Sequence, residues 1–458
     1  MTKTPTHSLR HRILRASAWT FGGHITSQLL RFGSNLIMTR LLVPEMFGVM
    51  VLANVLLMGL ELFSDLGLRQ NIIQHQRGSD PAFLNTIWTL QIIRGSLICL
   101  FALVVALVLY VLDLVKWFPA TSAYAEPILP WIIAVLSINA IINGFESTKY
   151  AVADRNMALG MLTSFELISQ VSGMACMITW AVIDRSIWAL VCGSIVTSLM
   201  RVILGNVLMP GERNRLHWDK SAFQEILNFG KWIFVTSILG FLAANGDRLI
   251  LGSLVDAKML GMYSIAFFMV SALREIFSKL VGKVAFPALS EVARERPAML
   301  KQVYYKFRHP LDAATLLAAG MLFYSGHLVI NIFYDHRYFS AGHMLEILSI
   351  MFFETRYMVA GQCFMALGKP KLMVPIIVIQ LLAIYGLMPI AFSLYGFDGA
   401  LWVAGGGVLL TIPVTLYITY KLGLLDFNLE MRALPWLIIG LALGWVVNQV
   451  SLRIGWPI

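Results

Sequence analysis

Apolar runs of some 20 residues recur along the whole chain, and no other feature constrains its fold as much. A run of that length crosses a bilayer core of roughly 30 Å as a helix. In lipid every backbone polar group must find its partner within the protein, so only helices and closed barrels can span, and runs this long belong to helices. Of the 458 residues, 58% are hydrophobic and 13% charged, with mean hydropathy +0.75; soluble proteins carry about 25% charge. The chain reads as an all-α polytopic membrane protein. Spans are predicted near 17–41, 47–68, 86–112, 128–148, 163–183, 187–209, 229–254, 259–280, 311–333, 344–366, 374–394 and 400–420, with a weaker thirteenth near 434–450.

Two stretches about 212 residues apart share one pattern: a long helix, a short turn, a glycine and an aromatic-rich helix. Asn35 aligns with Asp247, Val43 with Val255 and, after one inserted residue, Gly48 with Gly261. Two halves in the same direction suggest a parallel repeat about an axis along the membrane normal. The expected domains are 1–209, a linker at 210–225, a second half at 226–420, and a C-terminal segment at 421–458 that carries the weak thirteenth helix. The linker is polar and led by Pro and Gly, as a hinge would be. A segment from Val281 to Pro310 is expected to form an amphipathic surface helix after Pro287.

The net charge of +10 does not call for nucleic acid, because positive charge gathers in the cytoplasmic loops of membrane proteins. Inner segments hold twenty-two basic residues, Lys3, Arg77, Arg294 and Arg308 among them. Outer segments hold Arg40, Lys116, Arg185, Lys258, Arg337 and Arg453. That split predicts a cytoplasmic N-terminus, with the first span retained as a signal anchor. Cys99, Cys176, Cys192 and Cys363 lie inside apolar runs and read as packing residues rather than disulfides or metal ligands. Trp117, Tyr150, Trp188 and Trp436 read as interfacial anchors. Pro375, Pro389 and Pro413 are expected to kink late spans. Gly22-Gly23 and Gly405-Gly406-Gly407 read as close-packing sites ahead of hinges.

No G-x-x-x-x-G-K-[ST], H-E-x-x-H or acidic D-x-D pair is present. No catalytic residue, metal site or cofactor is therefore assigned. The informative residues are charges inside spans, which must face protein or a water-filled cavity. His24, Gln28, Arg31 and Asn35 share one face of the first helix by their spacing. Arg94, Arg248 and Arg356 are further arginines in spans. Glu61, Asp65, Asp247 and Glu354 are candidates for ion pairs or for coupling to a proton or sodium ion. Folding the first hairpin about Val43-Pro44 would bring Glu61 within a turn of Arg31, and Asp65 near His24. Two readings stay open: arginines that line a cavity for an anionic substrate, suited to phosphate by their planar fork, or charges paired for packing. Glu146, Glu166 and Glu275 sit near span ends and read as solvated.

The stretches TRLLVPEMFGVMVLANVLL and FSDLGLRQNIIQ in the first half, with GDRLILGSLVDAKMLGMYSIAF and VAFPALSEV in the second, carry a family resemblance. The chain resembles the polysaccharide-transporter, Wzx-type branch of the multidrug/oligosaccharidyl-lipid/polysaccharide (MOP) superfamily, the O-antigen and exopolysaccharide repeat-unit flippases. The resemblance implies 12 to 14 helices in two pseudo-symmetric six-helix bundles, a central cavity and alternating access. It implies an undecaprenyl-pyrophosphate-linked oligosaccharide as substrate, held by cationic cavity residues, with membrane lipids and the pathway's polymerase and chain-length proteins as partners. Arg31, Arg94, Arg248 and Arg356 are the counterparts suggested by position and chemistry. Many family members have fourteen spans, and this chain stops soon after the thirteenth. A lipid II flippase, a multidrug/cation antiporter and an O-antigen polymerase or ligase are the alternatives. A cation antiporter would want carboxylates in the first helix, which has none between Arg15 and Glu45.

Overall fold

A computed structural model describes residues 9–453, with side chains from Trp19 onward except those of 20, 21, 228–232 and 235. Lys3 and the sequence before residue 9, on which the signal-anchor reading rests, lie outside the described residues. All regular structure among them is helical. The α-helices are α1 (Leu9–Leu41), α2 (Pro44–Leu62), α3 (Leu68–Gln74), α4 (Pro81–Leu114), α5 (Leu129–Leu136), α6 (Ile138–Gly144), α7 (Lys149–Arg155), α8 (Leu159–Ile183), α9 (Trp188–Ile203), α10 (Lys220–Leu254) and α11 (Ala257–Leu280). They continue with α12 (Phe286–Glu295), α13 (Leu300–Phe333), α14 (Ala341–Leu348), α15 (Phe352–Thr355), α16 (Met358–Ala366), α17 (Val374–Leu382), α18 (Met388–Gly406), α19 (Thr411–Lys421), α20 (Phe427–Met431) and α21 (Leu434–Arg453).

Eight helical stretches among the described residues are long and apolar enough to cross a bilayer, and nine if the pair bent by 61° at residues 144–149 counts as one span. This is a multi-pass membrane protein. Stretches merge where a turn keeps helical hydrogen bonding. Residues 370–421 pass as one stretch, yet Gly396 breaks it with φ 63° and ψ −150°, a conformation open to glycine alone.

Helix starts follow from local chemistry. Pro44 opens α2, where its missing N–H costs nothing, and Glu45 lies in the first turn. Asp80 caps α4 by accepting from the Ala82 amide at 3.0 Å, and Asp256 caps α11 by accepting from the Met259 amide at 2.7 Å. Both copies of the repeated pattern are thus helix, short turn, helix, and Gly48 and Gly261 are both buried. Pro287 opens α12, an amphipathic helix where one was expected. Pro375 stands in the first turn of α17, whereas Pro389 and Pro413 lie in a helical run that continues through them, each directly after an irregular turn, Ala383–Leu387 and Gly407–Leu410. A π-helical turn at Ala383–Leu387 absorbs the distortion ahead of Pro389. Pro389 and Pro413 thus mark irregularities within the stretch, as expected from the sequence, whereas Pro375 stands near its start.

The chain divides into two units, one of residues 1–120 and 124–241, the other of 121–123 and 242–458. In the first unit small residues let helices touch. A Cβ on Gly95 of α4 would lie 2.3 Å from the Ala140 carbonyl of α6, and one on Gly173 of α8 2.5 Å from the Gly193 carbonyl of α9. Cys176 and Cys192 also meet across α8 and α9, as free thiols with sulfurs 3.2 Å apart. In the second unit α21 lies close along α13: a Cβ on Gly440 would stand 2.5 Å from the Leu317 carbonyl. Gly405 likewise meets the Ile347 carbonyl at 2.5 Å, a packing contact.

Candidate functional site

The first unit holds a polar pocket of about 300 Å³. Its wall includes Glu61 from α2, Asp65, Arg69 from α3, Gln91 and Arg94 from α4, Asn143 from α6, Glu146 and Arg201 from α9. Arg94 is half-buried. Its guanidinium donates at 2.6 Å to the Glu61 carbonyl and at 3.1 Å to the Ser64 hydroxyl, which ties α4 to the end of α2. Arg201 donates to the Glu146 carboxylate at 3.1 Å, and its guanidinium carbon lies 5.4 Å from the centre of the Tyr150 ring. Gln91 donates to the carbonyls of Asn143 and Glu146 at 2.9 and 3.1 Å.

Several sequence expectations change here. The cation facing the Glu61 carboxylate is Arg94, not Arg31, because the end of α2 packs on α4. Asp65 does not continue the face of Glu61. Helix α2 stops at Leu62, and Asp65 lies in the turn to α3, where its carboxylate accepts from the Gly67 amide at 2.8 Å and the Ser237 hydroxyl at 3.2 Å. Gly67 holds φ 60° in that turn. Glu146 is an ion-pair partner rather than a solvated acid, and Tyr150 is buried with its hydroxyl on the Arg201 carbonyl at 2.9 Å rather than interfacial. On α1, Arg31 is exposed, His24 and Asn35 half-buried and Gln28 buried. Ser27 beside them donates to Gln170 of α8 at 2.9 Å.

In the second unit Arg248 donates to Asn245 at 2.8 Å and stacks 3.9 Å above the centre of the Phe267 ring. Its neighbour Asp247 is buried and accepts from the Tyr263 hydroxyl at 2.5 Å, so the two adjacent charges have separate partners. Asp247, Phe267 and Arg274 line a smaller pocket of about 220 Å³. Glu354 pairs with Arg274 at 2.5 Å rather than with Arg356. Residues two apart on a helix point to opposite sides.

Arg356 is turned into a closed charge cluster. It donates to Asp312 at 3.0 Å and to Glu430 at 3.0 Å. Arg308, fully buried, also pairs with Glu430 through both ends of its fork and with Asp312 at 3.4 Å. Tyr304, Tyr305 and Tyr357 complete the shell: Arg308 donates to the Tyr304 hydroxyl at 2.8 Å, and Tyr305 and Tyr357 donate to Glu430 at 3.2 and 3.4 Å. Two cations meet two anions with all four out of water. Arg356 is thus a packing charge here, not a cavity wall. Arg308, read as part of a basic inner loop, lies instead within the 34-residue α13. No cluster of metal-ligating side chains occurs among the described residues.

The chain shares this fold with solved structures. The structure "Lipid II flippase MurJ, inward closed conformation" superposes with TM-score 0.69 at 14% identity, over 97% of this chain and 99% of that one; the likeness establishes a MOP-type fold. In sequence, the "Lipopolysaccharide biosynthesis protein WzxC" of Escherichia coli K12 is 21% identical over 336 residues, 71% of this chain and 64% of that protein. An "Uncharacterized membrane protein in cps region" of Klebsiella pneumoniae is 22% identical over 310 residues, 67% of this chain and 61% of that protein. The chain therefore spans less than two thirds of the length of either relative. A family model described as "Polysaccharide biosynthesis protein" matches residues 37–342, and the chain belongs to that family.

Proposed function

We propose that this protein is a transporter rather than an enzyme, and that it moves a polyprenyl-pyrophosphate-linked oligosaccharide across the bacterial cytoplasmic membrane by alternating access. The observation that carries the proposal is the Arg94 pocket. A hydrated sugar and a charged pyrophosphate cannot cross hydrocarbon unaided. They need a basic, amide-rich lining inside a helical bundle. The pocket supplies Arg94, Arg69, Arg201, Gln91 and Asn143 within one unit, alongside the acids Glu61, Asp65 and Glu146. Arg69 is paired with Asp154 and Arg201 with Glu146, so Arg94 is the cation of this wall held by neutral groups alone. Family membership and the name of the WzxC relative support the same substrate class.

Coupling to a proton or sodium ion is assigned to Glu61 ahead of the other acids. Its carboxylate accepts no hydrogen bond from a described residue. Asp65, Asp247 and Glu354 are each engaged, by Gly67 and Ser237, by Tyr263 and by Arg274. The downstream partners are the polymerase and chain-length proteins that consume a flipped repeat unit.

The test is a deletion strain whose lipid-linked intermediates are extracted and their sidedness read in spheroplasts with an impermeant sugar-oxidising probe. Repeat units stranded on the cytoplasmic leaflet, restored by the wild-type chain and not by Arg94→Gln, are expected. Units that reach the outer leaflet unpolymerised would refute flipping and favour a polymerase. Stranded lipid II in place of the repeat unit would move the assignment to the peptidoglycan precursor.

A further inference from the structure

The segment read from sequence as a hinge, residues 210–225, divides in the structure: α10 takes it over from Lys220, and residues 209–219 form an extended strap pinned along α4. The Arg215 amide donates to Asn85 at 2.9 Å, the His217 amide to the Thr89 hydroxyl at 3.1 Å, and the Asp219 amide to the Thr86 hydroxyl at 3.1 Å. Thr89 returns a bond to the His217 carbonyl at 3.0 Å. Upstream, Asn214 accepts from Ser147 at 2.8 Å and donates to Thr148 at 2.6 Å. Downstream, Arg77 clasps Asp219 at 3.0 Å. Side chains of α4 thus do for the strap what a neighbouring strand would do, and they fix which groups it turns outward.

Those outward groups are of two kinds. Leu216 is 71% exposed and Trp218 48% exposed, and Val207 and Leu208, at the end of the preceding helix, are 72% and 62% exposed. Between and beside them stand Arg213, Arg215 and Lys220, all exposed. Their side chains form no ion pair or hydrogen bond among the described residues. Of the two acids in the segment, Asp219 is neutralised by Arg77 and only Glu212 remains. Arg213 also lines a recess of about 200 Å³ with Asn85, Gly211 and the buried Lys149, whose ammonium donates to the Met209 carbonyl at 3.0 Å.

We propose that the strap is a membrane-surface device: Leu216 and Trp218 enter the headgroup layer, and Arg213, Arg215 and Lys220 bind the phosphates of anionic phospholipids. The strap leaves the end of a membrane-crossing helix, residues 188–208, so it must lie at a bilayer face. Indole rings favour that layer, and three cations without protein partners are complementary to an anionic headgroup surface. A rigid strap holds the apolar and basic groups together without the entropy cost of ordering a loose loop.

The experiment uses the full-length chain with its native cysteines replaced and His217→Cys carrying an environment-sensitive fluorophore. The labelled protein is reconstituted in vesicles of phosphatidylcholine alone or with phosphatidylglycerol. Quenching by headgroup-spin-labelled phosphatidylglycerol should exceed that by the matching phosphatidylcholine, and aqueous iodide should quench less in the anionic vesicles. Each of Arg213→Gln, Arg215→Gln and Lys220→Gln should lower the preference for the anionic lipid by up to about fivefold. Leu216→Ser with Trp218→Ser should restore iodide access. These residues are exposed, so folding is not at stake, and a thermal melt equal to wild type checks that. Equal quenching by both lipids would overturn the headgroup assignment. A label shielded from iodide and from both lipids, with energy transfer between copies that grows with protein-to-lipid ratio, would assign the face to a second copy instead.

Discussion

Arg94 and Arg308 are both arginines within spans, and their surroundings could hardly differ more. Arg94 stands at the wall of a pocket of about 300 Å³, held by a carbonyl and a hydroxyl, with the Glu61 carboxylate facing it without a hydrogen bond from any described residue. Arg308 is fully buried, bonded to Glu430 and Asp312, and ringed by three tyrosines. A charge whose neighbours leave open valences beside a cavity can exchange partners with a passing anion. One with four of its five donors held by buried partners cannot, and its energy is committed to the fold. The charge of a span residue therefore says little until its remaining hydrogen-bond capacity is counted.

The sharpest way to break this contrast is at Glu430. Glu430→Gln leaves Arg308 and Arg356 against Asp312 alone, and uncompensated buried charge should cost about 3–5 kcal/mol. Expression and the thermal melt in detergent should both fall. A normal melt would place the cluster in the open class with Arg94. Replacing all four charges by apolar side chains of like volume should restore the melt and leave export intact, since a saturated cluster contributes packing alone.

Next in size is the α13–α21 seam. Gly440→Val puts a branched side chain where even a Cβ stands 2.5 Å from the Leu317 carbonyl, and overpacking of that kind costs about 1–3 kcal/mol. A lowered melting midpoint with no change in export per folded molecule is the expected pattern. Export lost at an unchanged midpoint would give that seam a part in the transport cycle.

Arg94→Gln should cost about 1.5–3 kcal/mol of stability, the scale of a lost hydrogen bond from a charged group, yet abolish export. Equal loss of stability and export would bring Arg94 back to the structural class. Glu61→Gln should likewise fold, and flatten the dependence of export on the ion gradient.

The smallest effect is expected at the strap. The Arg77 guanidinium holds the Asp219 carboxyl down to about 2, and the Ser221 hydroxyl and amide add to this. A depressed carboxyl stabilises the fold above its unfolded value of about 3.9, and that contribution is lost only as pH falls through about 2. Protease cleavage within residues 209–219 should therefore stay constant from pH 5 to 8. Cleavage that rises across that window would show that the clasp depends on a group other than Asp219.

The apolar helices, the turn at Val43-Pro44 and the recurrence of the hairpin are legible in the sequence. Helices α4 and α11 begin at Pro81 and Ala257, ahead of the predicted 86 and 259, because the proline and the Asp256 cap start them before the apolar run does. The pairing of charges is not legible in the sequence. Arg308 and Glu430 are 122 residues apart and Arg356 and Asp312 are 44 apart, and periodicity carries no record of such contacts. Arg308 sits before Pro310 in a basic segment, which disguised it as loop. One signal was present: Tyr304, Arg308, Asp312 and Thr315 recur at helical spacing, and a line of polar residues on one face of a span is where buried partners are to be sought. Asp65 was misplaced for a local reason, since the left-handed turn at Gly67 ends the face that it was expected to share with Glu61.

The separation between Arg308 and Glu430 also has a meaning for how the chain is made. Glu430 leaves the ribosome 122 residues after Arg308, which at ordinary elongation rates is roughly 6 to 25 s. Through that interval the nascent second unit carries two arginines and one carboxylate in helices already entering the membrane. A chain stalled before residue 430 cannot neutralise them with Glu430. The charge balance of the cluster is thereby closed by the member that is made last of the four.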